Sequence, residues 1–151
     1  MTAIPEGYAV APTTADNLVK LAVPVPGRES PILIEAPKLP WLPPHEVDTY
    51  TEWMKPFLAA EAEVAEWHRV NDELDEDKRA EYPQAAEDLV STLTIRETKI
   101  RWLKPHMSAA DYKMLLTSKK IPERTIDWIV EQLKDPAQPI SVGESGASAT
   151  S

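Results

Sequence analysis

The sequence contains no cysteine, which excludes a disulfide framework and any metal site built from thiolates. Histidine is also scarce. The three histidines, His45, His68 and His106, lie far apart and show no spacing that is typical of zinc ligands. We therefore predict that the protein has no metal site. The absence of cysteine also fits a reducing compartment.

Glycine occurs only four times, and no glycine-rich loop is present that would hold a phosphate group. Gly143 and Gly146 have no helix predicted after them, and they lack the Gly-x-Ser-x-Gly pattern of a nucleophile elbow. Glu63 and Glu66 can share a helix face, but paired carboxylates act as acid and base only in a desolvating cleft. We interpret this pair as solvated charge, and we predict no catalytic residue, no cofactor and no enzyme activity.

Long apolar runs and a dominant positive charge are lacking as well. No stretch of about 18 apolar residues predicts a transmembrane helix, and the first residues lack the basic and apolar regions of a secretory signal. The net charge of −9 disfavours a broad basic surface for nucleic acid. Basic residues do gather between Arg96 and Lys120, so the net charge does not exclude a local basic face. We predict a cytoplasmic protein that binds neither membranes nor nucleic acid.

Proline is abundant, and nine of the fifteen prolines lie in residues 1–44. Proline removes a backbone donor and favours extended geometry in the residue before it, so this segment is predicted to be an extended arm with little capacity for packing. Two apolar runs, 18–25 and 31–35, flank the turn-forming residues 26–30. They indicate either a short β-hairpin or a disordered arm with apolar anchors, and both interpretations stay open. Residues 38–44 are typical of a connector or of a proline-rich ligand.

Helical periodicity extends over residues 45–135, which we predict to be one domain, a small bundle of short amphipathic helices. Residues 136–151 are predicted to be a disordered tail. Pro56 predicts either a kink or two helices that meet near Lys55. The first apolar stripe consists of Val47, Tyr50, Met54, Phe57 and Val64.

Three further helical segments are predicted after Pro83. The first spans 84–103, or restarts at Thr94, where capping-box spacing occurs, and ends at Lys104-Pro105. The second opens at Ser108 and buries Tyr112, Leu115 and Leu116. The third has Pro122 as its first helical residue and a clean apolar stripe. The residues of that stripe are Ile126, Ile129, Val130 and Leu133.

Five tryptophans accompany a single phenylalanine. Core packing accounts for part of this content, but tryptophan is also a preferred anchor of protein interfaces. Short amphipathic helices can leave apolar faces that await a partner. We therefore predict a set of six partner-binding aromatic residues: Trp53, Phe57, Trp67, Trp102, Tyr112 and Trp128.

The last twelve residues, Ile-Ser-Val-Gly-Glu-Ser-Gly-Ala-Ser-Ala-Thr-Ser, resemble the end of tail assembly chaperones from long-tailed (siphovirus-type) phages of actinobacteria. Those proteins often end in a Ser-x-Gly-Glu-Ser run followed by small residues. The preceding helices at 108–116 and 124–133 are also similar, and a hairpin at 18–35 would match a short strand-forming piece of the family. The arm at 1–44 and the acidic section at 61–81 fall outside the family pattern.

The resemblance implies a non-enzymatic role in the host cell cytoplasm. Such chaperones bind the long tape measure protein and keep its apolar helices from aggregating before tail tube subunits polymerise around it. The implied partners are the tape measure protein, the tail tube protein and a longer, frameshifted form of the same chain. The alternative is a small helical adaptor or structural protein of a phage particle. The sequence does not specify an oligomeric state.

Overall fold

The computed structural model describes residues 3–134 and is mainly α-helical. In this range it contains five α-helices and one antiparallel β-hairpin, with short 3-10 helices between them. The predicted fold class is confirmed, and of the two interpretations of the proline-rich arm the structure selects the hairpin. The predicted tail at 136–151 lies outside the described residues.

The hairpin pairs strand β1 (Leu18–Val23) with strand β2 (Ile32–Pro37), with Leu18 opposite Pro37 at its open end. Successive side chains of a strand point to opposite faces. Accordingly, Ile32, Ile34 and Ala36 are buried, whereas the side chains between them are exposed. The prediction that residues 1–44 have little capacity for packing is therefore wrong. On the same face of β1, Val23 is buried and Val19 and Leu21 are half-buried, so the apolar runs of this segment do pack.

A tight turn at 25–28 lies between the two strands. The backbone N–H of Arg28 donates to the carbonyl of Val25 at 3.0 Å, and Gly27 has φ of +84°. Proline in the second position and a positive φ in the third define a type II turn, in which glycine is the residue that avoids a steric penalty. The predicted turn-forming residues are thus confirmed.

The chain folds as two compact units. The hairpin unit comprises Met1–Pro43 and Leu103–Ser151, and the long-helix unit comprises Pro44–Trp102. This grouping differs from the predicted single domain at 45–135. The reason is that the last helix packs on strand β1, so the C-terminal helices share a core with the hairpin.

In the hairpin unit, helices α4 (Ala109–Thr117) and α5 (Glu123–Leu133) follow the hairpin in sequence. Ser108 caps α4 as predicted, because its hydroxyl accepts the backbone N–H of Asp111 at 3.2 Å. Pro122 is the N-cap of α5 and not its first helical residue. The unit has a largely aliphatic core formed by Val23, Val25, Ile32, Ile34, Ala36, Leu103, Tyr112, Leu115, Ile121, Ile126, Ile129 and Leu133.

The predicted buried faces of these two helices are confirmed except at their borders. Leu115 is fully buried, whereas Leu116 is half-buried. In the same way, Ile129 is fully buried and Val130 is half-buried. Neighbouring residues of a helix differ by about 100° in direction, so only one member of each pair can point to the centre of the core.

The long-helix unit contains α1 (Pro44–Asn71), α2 (Gln84–Ser91) and α3 (Ile95–Ile100). Helix α1 passes through Pro56 without ending, so the predicted alternative of two helices is wrong. The prediction of a kink stays a prediction. Pro56 and Glu52, whose carbonyl loses its helical donor, are both exposed, so water can satisfy that carbonyl.

The second predicted block consists of two helices, which confirms the restart at Thr94 and excludes one continuous helix. The Thr94 hydroxyl accepts the backbone N–H of Glu97 at 3.1 Å and caps α3. A 3-10 helix at Arg101–His106 follows and continues through Pro105. The predicted end at Lys104-Pro105 is therefore wrong by one residue, because the fixed φ of proline is compatible with a 3-10 turn.

Candidate partner-binding surfaces

One face of α1 carries a regular series of side chains spaced by three and four residues. We call it the aromatic stripe, and its members are Tyr50, Trp53, Phe57, Ala60, Val64, Trp67 and Asn71. From residue 48 to residue 71, every buried or half-buried side chain except Met54 belongs to it. Alternating steps of three and four keep side chains on one face, as in helices that pack side by side. The aromatic stripe is thus the packing face of α1.

The predicted stripe of α1 was placed partly on the wrong residues. Val47 is 41% exposed and lies off the packing face, and Met54 lies at its border. Trp53 and Trp67, predicted to flank the stripe, are members of it. The sequence is ambiguous here because apolar residues also occur outside the packing face of α1, where Leu58 is 55% exposed.

Aromatic rings meet at the N-terminal end of this face. Tyr50 and Trp102 are stacked, with ring centroids 3.8 Å apart and an angle of 3° between the planes. The ring of Trp53 lies 5.5 Å from those of Tyr50 and Phe57, in an edge-to-face arrangement with each. The guanidinium of Arg101 sits 4.5 Å above the Trp53 ring, a cation–π geometry. The structure therefore brings together three of the six predicted residues.

A hydrogen bond fixes Tyr50 in this cluster. Its hydroxyl donates to the carbonyl of Thr98 at 2.9 Å. Burial raises the pKa of the Tyr50 phenol above its ordinary value, since partial desolvation disfavours the phenolate. Trp53 and Phe57 are only half-buried in the same cluster. Their remaining exposed surface is available to a partner.

Trp67, at the other end of the aromatic stripe, has a different environment. Its indole N–H donates to the carbonyl of Ala80 at 3.1 Å, and its ring lies 4.9 Å from that of Tyr82. The buried Asn71 side chain accepts the N–H of Ala80 at 2.8 Å and donates to the Trp67 carbonyl at 2.9 Å. Trp67 therefore helps to fix the connection between α1 and α2, and only part of its ring faces solvent.

The last two predicted residues lie in the hairpin unit. Tyr112 is 6% exposed and belongs to the core, so a partner could reach it only if α4 moved away. The structure thus places it inside the unit and not on a binding surface, because an aromatic residue on an amphipathic helix packs inward as readily as outward. Trp128 is 45% exposed and borders a shallow pocket with Pro24 and Arg124. It stays a candidate.

The hairpin unit also contains a concave surface that sequence reasoning missed. A groove of about 690 Å³ lies between the turn at 25–28 and helix α4, and we call it the turn groove. Arg28 closes one side, because its guanidinium donates to Asp111 at 3.1 Å and contacts the sulfur of Met114 at 3.4 Å. Lys113 and Lys120 also line the groove. Neither forms an ion pair within residues 3–134.

Part of the signal for this groove was present in the sequence. The concentration of basic residues between Arg96 and Lys120 includes both lysines. Arg28 lies 83 positions before its partner Asp111, so only the tertiary structure could bring the turn to α4. The Nζ atom of Lys120 reaches to 3.3 Å from the position that a Cβ on residue 27 would occupy.

The described residues offer no group of three histidine, aspartate or glutamate side chains that could hold a metal ion. Within the same range, no helix combines the length and the apolar character that a membrane span requires. Comparisons with protein-family models, with curated proteins and with solved structures found no match to this chain.

Proposed function

We propose that this protein is a tail assembly chaperone of a siphovirus-type phage, which binds the tape measure protein in the host cytoplasm and keeps it soluble until tail tube subunits assemble around it. The observation that carries the proposal is the incompletely covered aromatic stripe of α1. The resemblance of the C-terminal sequence to such chaperones supports it. A binding protein of this kind has no catalytic residue and no cofactor.

The dimensions of the long-helix unit explain how a client helix would bind. Helix α1 has 28 residues and is about 42 Å long, whereas α2 has 8 residues and is about 12 Å long. A short helix covers only part of a long packing face. Trp53 and Phe57 therefore keep part of their surface exposed, and an apolar client helix can pack there in place of water. The apolar residues of that client helix would have the same alternating spacing of three and four residues.

The charge of this unit suits a chaperone for apolar segments. Pro44–Trp102 contains fifteen acidic and seven basic residues, a net charge of −8. A bound apolar client would otherwise increase the tendency of the complex to aggregate. Like charges on the complexes repel one another and keep them apart in solution.

Co-expression tests the proposal directly. The tape measure protein of the same genome is produced alone and with this chain, and the soluble fraction of the tape measure protein is measured. We expect a large increase with the unaltered chain and most of that increase to be lost with Trp53→Ala/Phe57→Ala. Leu58→Ala, which changes an exposed residue of α1 outside the packing face, is the matched control and should retain the effect. If the unaltered chain leaves the tape measure protein insoluble, the chaperone function is excluded.

The longer, frameshifted form and the tail tube protein complete the proposed set of partners. Mass spectrometry of infected cells would detect peptides that begin in this sequence and continue in a second reading frame. Affinity purification of this chain from those cells should recover the tape measure protein together with the longer form. Recovery of neither would contradict this part of the proposal.

A structural role in the phage particle is the second candidate function. It is favoured by the arm before β1, where Ile4, Tyr8 and Val10 are all exposed apolar or aromatic side chains that could pack on a neighbouring subunit. The discriminating observation is the composition of purified particles. A stoichiometric amount of this chain in the particles would favour the structural role, and its absence would favour the chaperone.

A further inference from the structure

The two units differ in net charge far more than in size. The long-helix unit has a net charge of −8, and the rest of the chain has a net charge of −1. The turn groove lies in the nearly neutral hairpin unit and is lined by basic side chains. A cationic groove and an acidic surface are thus present in the same chain, which makes two copies complementary to each other.

The lining of the turn groove combines apolar and cationic groups. Pro26 and the exposed Met114 provide apolar surface, while Lys113 and Lys120 bring ammonium groups that have no carboxylate partner among the described residues. A groove of this volume is large enough for a side chain and its adjoining backbone. It therefore suits an apolar side chain that has acidic neighbours.

The segment at 72–77 has this composition. It reads Asp-Glu-Leu-Asp-Glu-Asp, with five carboxylates around Leu74, whose side chain is 39% exposed. Local hydrogen bonds hold its backbone. The N–H of Leu74 donates to the Asn71 carbonyl at 3.0 Å, and the guanidinium of Arg79 donates to the carbonyls of Leu74 and Asp72, each at 3.0 Å. An ordered segment loses less conformational entropy when it binds.

We propose that the turn groove binds the 72–77 segment of a second copy of this chain. Leu74 of that copy packs on Met114, and the flanking Glu73 and Asp75 pair with Lys113 and Lys120. The contact joins two different surfaces, so it is heterologous and associates chains head to tail. The proposal concerns self-association and does not depend on the chaperone function.

Sedimentation velocity of the full chain over a wide concentration range tests the association. At low salt we expect concentration-dependent oligomers. At high salt we expect the association constant to fall roughly tenfold, because ion pairs between exposed groups are screened. A chain that remains monomeric at all concentrations in low salt would overturn the proposal.

Two charge-reversal variants locate the contact. The groove variant carries Lys113→Glu and Lys120→Glu, and the segment variant carries Glu73→Lys and Asp75→Lys. All four side chains are exposed, so the fold should be unchanged, which circular dichroism and thermal melting check for each protein. Each variant alone should be monomeric. Lys20→Glu/Lys104→Glu makes the same change in net charge as the groove variant, at exposed positions away from the groove, and this control should self-associate like the unaltered chain.

Mixing the two variants gives the decisive result. The groove variant retains an intact segment, and the segment variant retains an intact groove. An equimolar mixture should therefore associate, because the intact groove of one variant binds the intact segment of the other, and the two charge-reversed surfaces are also complementary to each other. A mixture that stays monomeric would show that the groove of one copy does not bind the segment of another, and the proposal would fail.

Discussion

The hairpin unit and the long-helix unit are built on different kinds of packing. Of the fifteen buried hydrophobic side chains other than proline within residues 3–134, twelve belong to the hairpin unit and three, Ala60, Ala86 and Ile100, belong to the long-helix unit. The first unit is stabilised by an aliphatic core between a sheet and two helices. The second depends on half-buried aromatic rings and on hydrogen bonds around one buried amide.

This difference explains why the candidate client surface lies in the long-helix unit. A fully buried aliphatic core has no exposed apolar surface left for a partner to cover. Half-buried aromatic rings retain apolar surface whose burial on binding lowers the free energy further. The unit with the less complete core is therefore the one suited to binding an apolar client helix, and four substitutions test the difference in packing between the two units.

The largest effect is expected for Ile126→Ala in the core of the hairpin unit. Ile126 is fully buried on α5, and its truncation leaves a cavity that should lower the free energy of unfolding by about 3 kcal/mol. Urea denaturation measures the change. Trp128→Ala, on the exposed side of the same helix, should cost much less. Equal losses for both substitutions would mean that the core is not formed as described.

Asn71→Ala should have the next largest effect, and it acts on the long-helix unit. It leaves the N–H of Ala80 without its acceptor and should cost about 2 kcal/mol. Urea unfolding followed by tryptophan fluorescence reports the loss, because Trp67 contacts the same connection. Ser91→Ala removes an exposed hydroxyl from the same unit and serves as the control, with a change close to zero. A neutral Asn71→Ala would contradict the role of the buried amide.

Gly27→Ala should cost about 1 kcal/mol, because an L-residue is disfavoured at φ of +84° and the new Cβ would press on Lys120. Gly7→Ala is a matched control. Gly7 has φ of +89°, and nothing lies within 4 Å of its added Cβ. Thermal denaturation of both variants separates the cost of the positive φ, which both share, from the cost of the contact with Lys120, which only Gly27→Ala has. A smaller loss for Gly27→Ala than for Gly7→Ala would show that the turn does not pack as described.

The smallest effect is expected for Tyr50→Phe, which keeps the stacked ring and removes the hydrogen bond to Thr98, at a cost of about 0.5–1 kcal/mol. The folded state has the higher pKa for this phenol. The protonated Tyr50 phenol therefore makes its full contribution to the free energy of unfolding below the ordinary pKa of 10.0. This contribution decreases as the pH rises through the pKa that the phenol has in the folded state. Melting temperatures measured across this range should fall less steeply in the variant. An identical pH dependence in both proteins would contradict the raised pKa.

Local signals in the sequence predicted much of the fold. The apolar runs around residues 26–30 indicated the hairpin as one of two alternatives, the spacing after Thr94 indicated a helix restart as one of two alternatives, and the spacing after Ser108 indicated a helix start. These signals succeed because a turn or an N-cap depends on residues within four positions of each other. The boundary between the units was not predictable in this way, since it depends on the packing of α5 against β1, which are about a hundred positions apart.

The candidate surfaces were predicted less completely than the fold. Sequence reasoning selected Trp53, Phe57 and Trp102, and the structure places them in one cluster. It also selected Tyr112, which is buried, because residue type does not reveal which side of a helix finds a core. The turn groove was missed, since Arg28 is isolated in the sequence from the lysines that share the groove with it.

The sequence by itself determined that this protein is acidic and free of cysteine, and it predicted a mainly helical fold. It left a hairpin and a disordered arm open for residues 18–35, and a hairpin with these alternating apolar residues needs one covered face. Only the tertiary structure decided what covers that face, which aromatic rings remain exposed on α1, and that Arg28 meets Asp111 at one groove. The physical reason is the distance along the chain over which each effect acts. Propensities, caps and turns act over a few residues, whereas burial depends on contacts between segments that the chain brings together only when it folds.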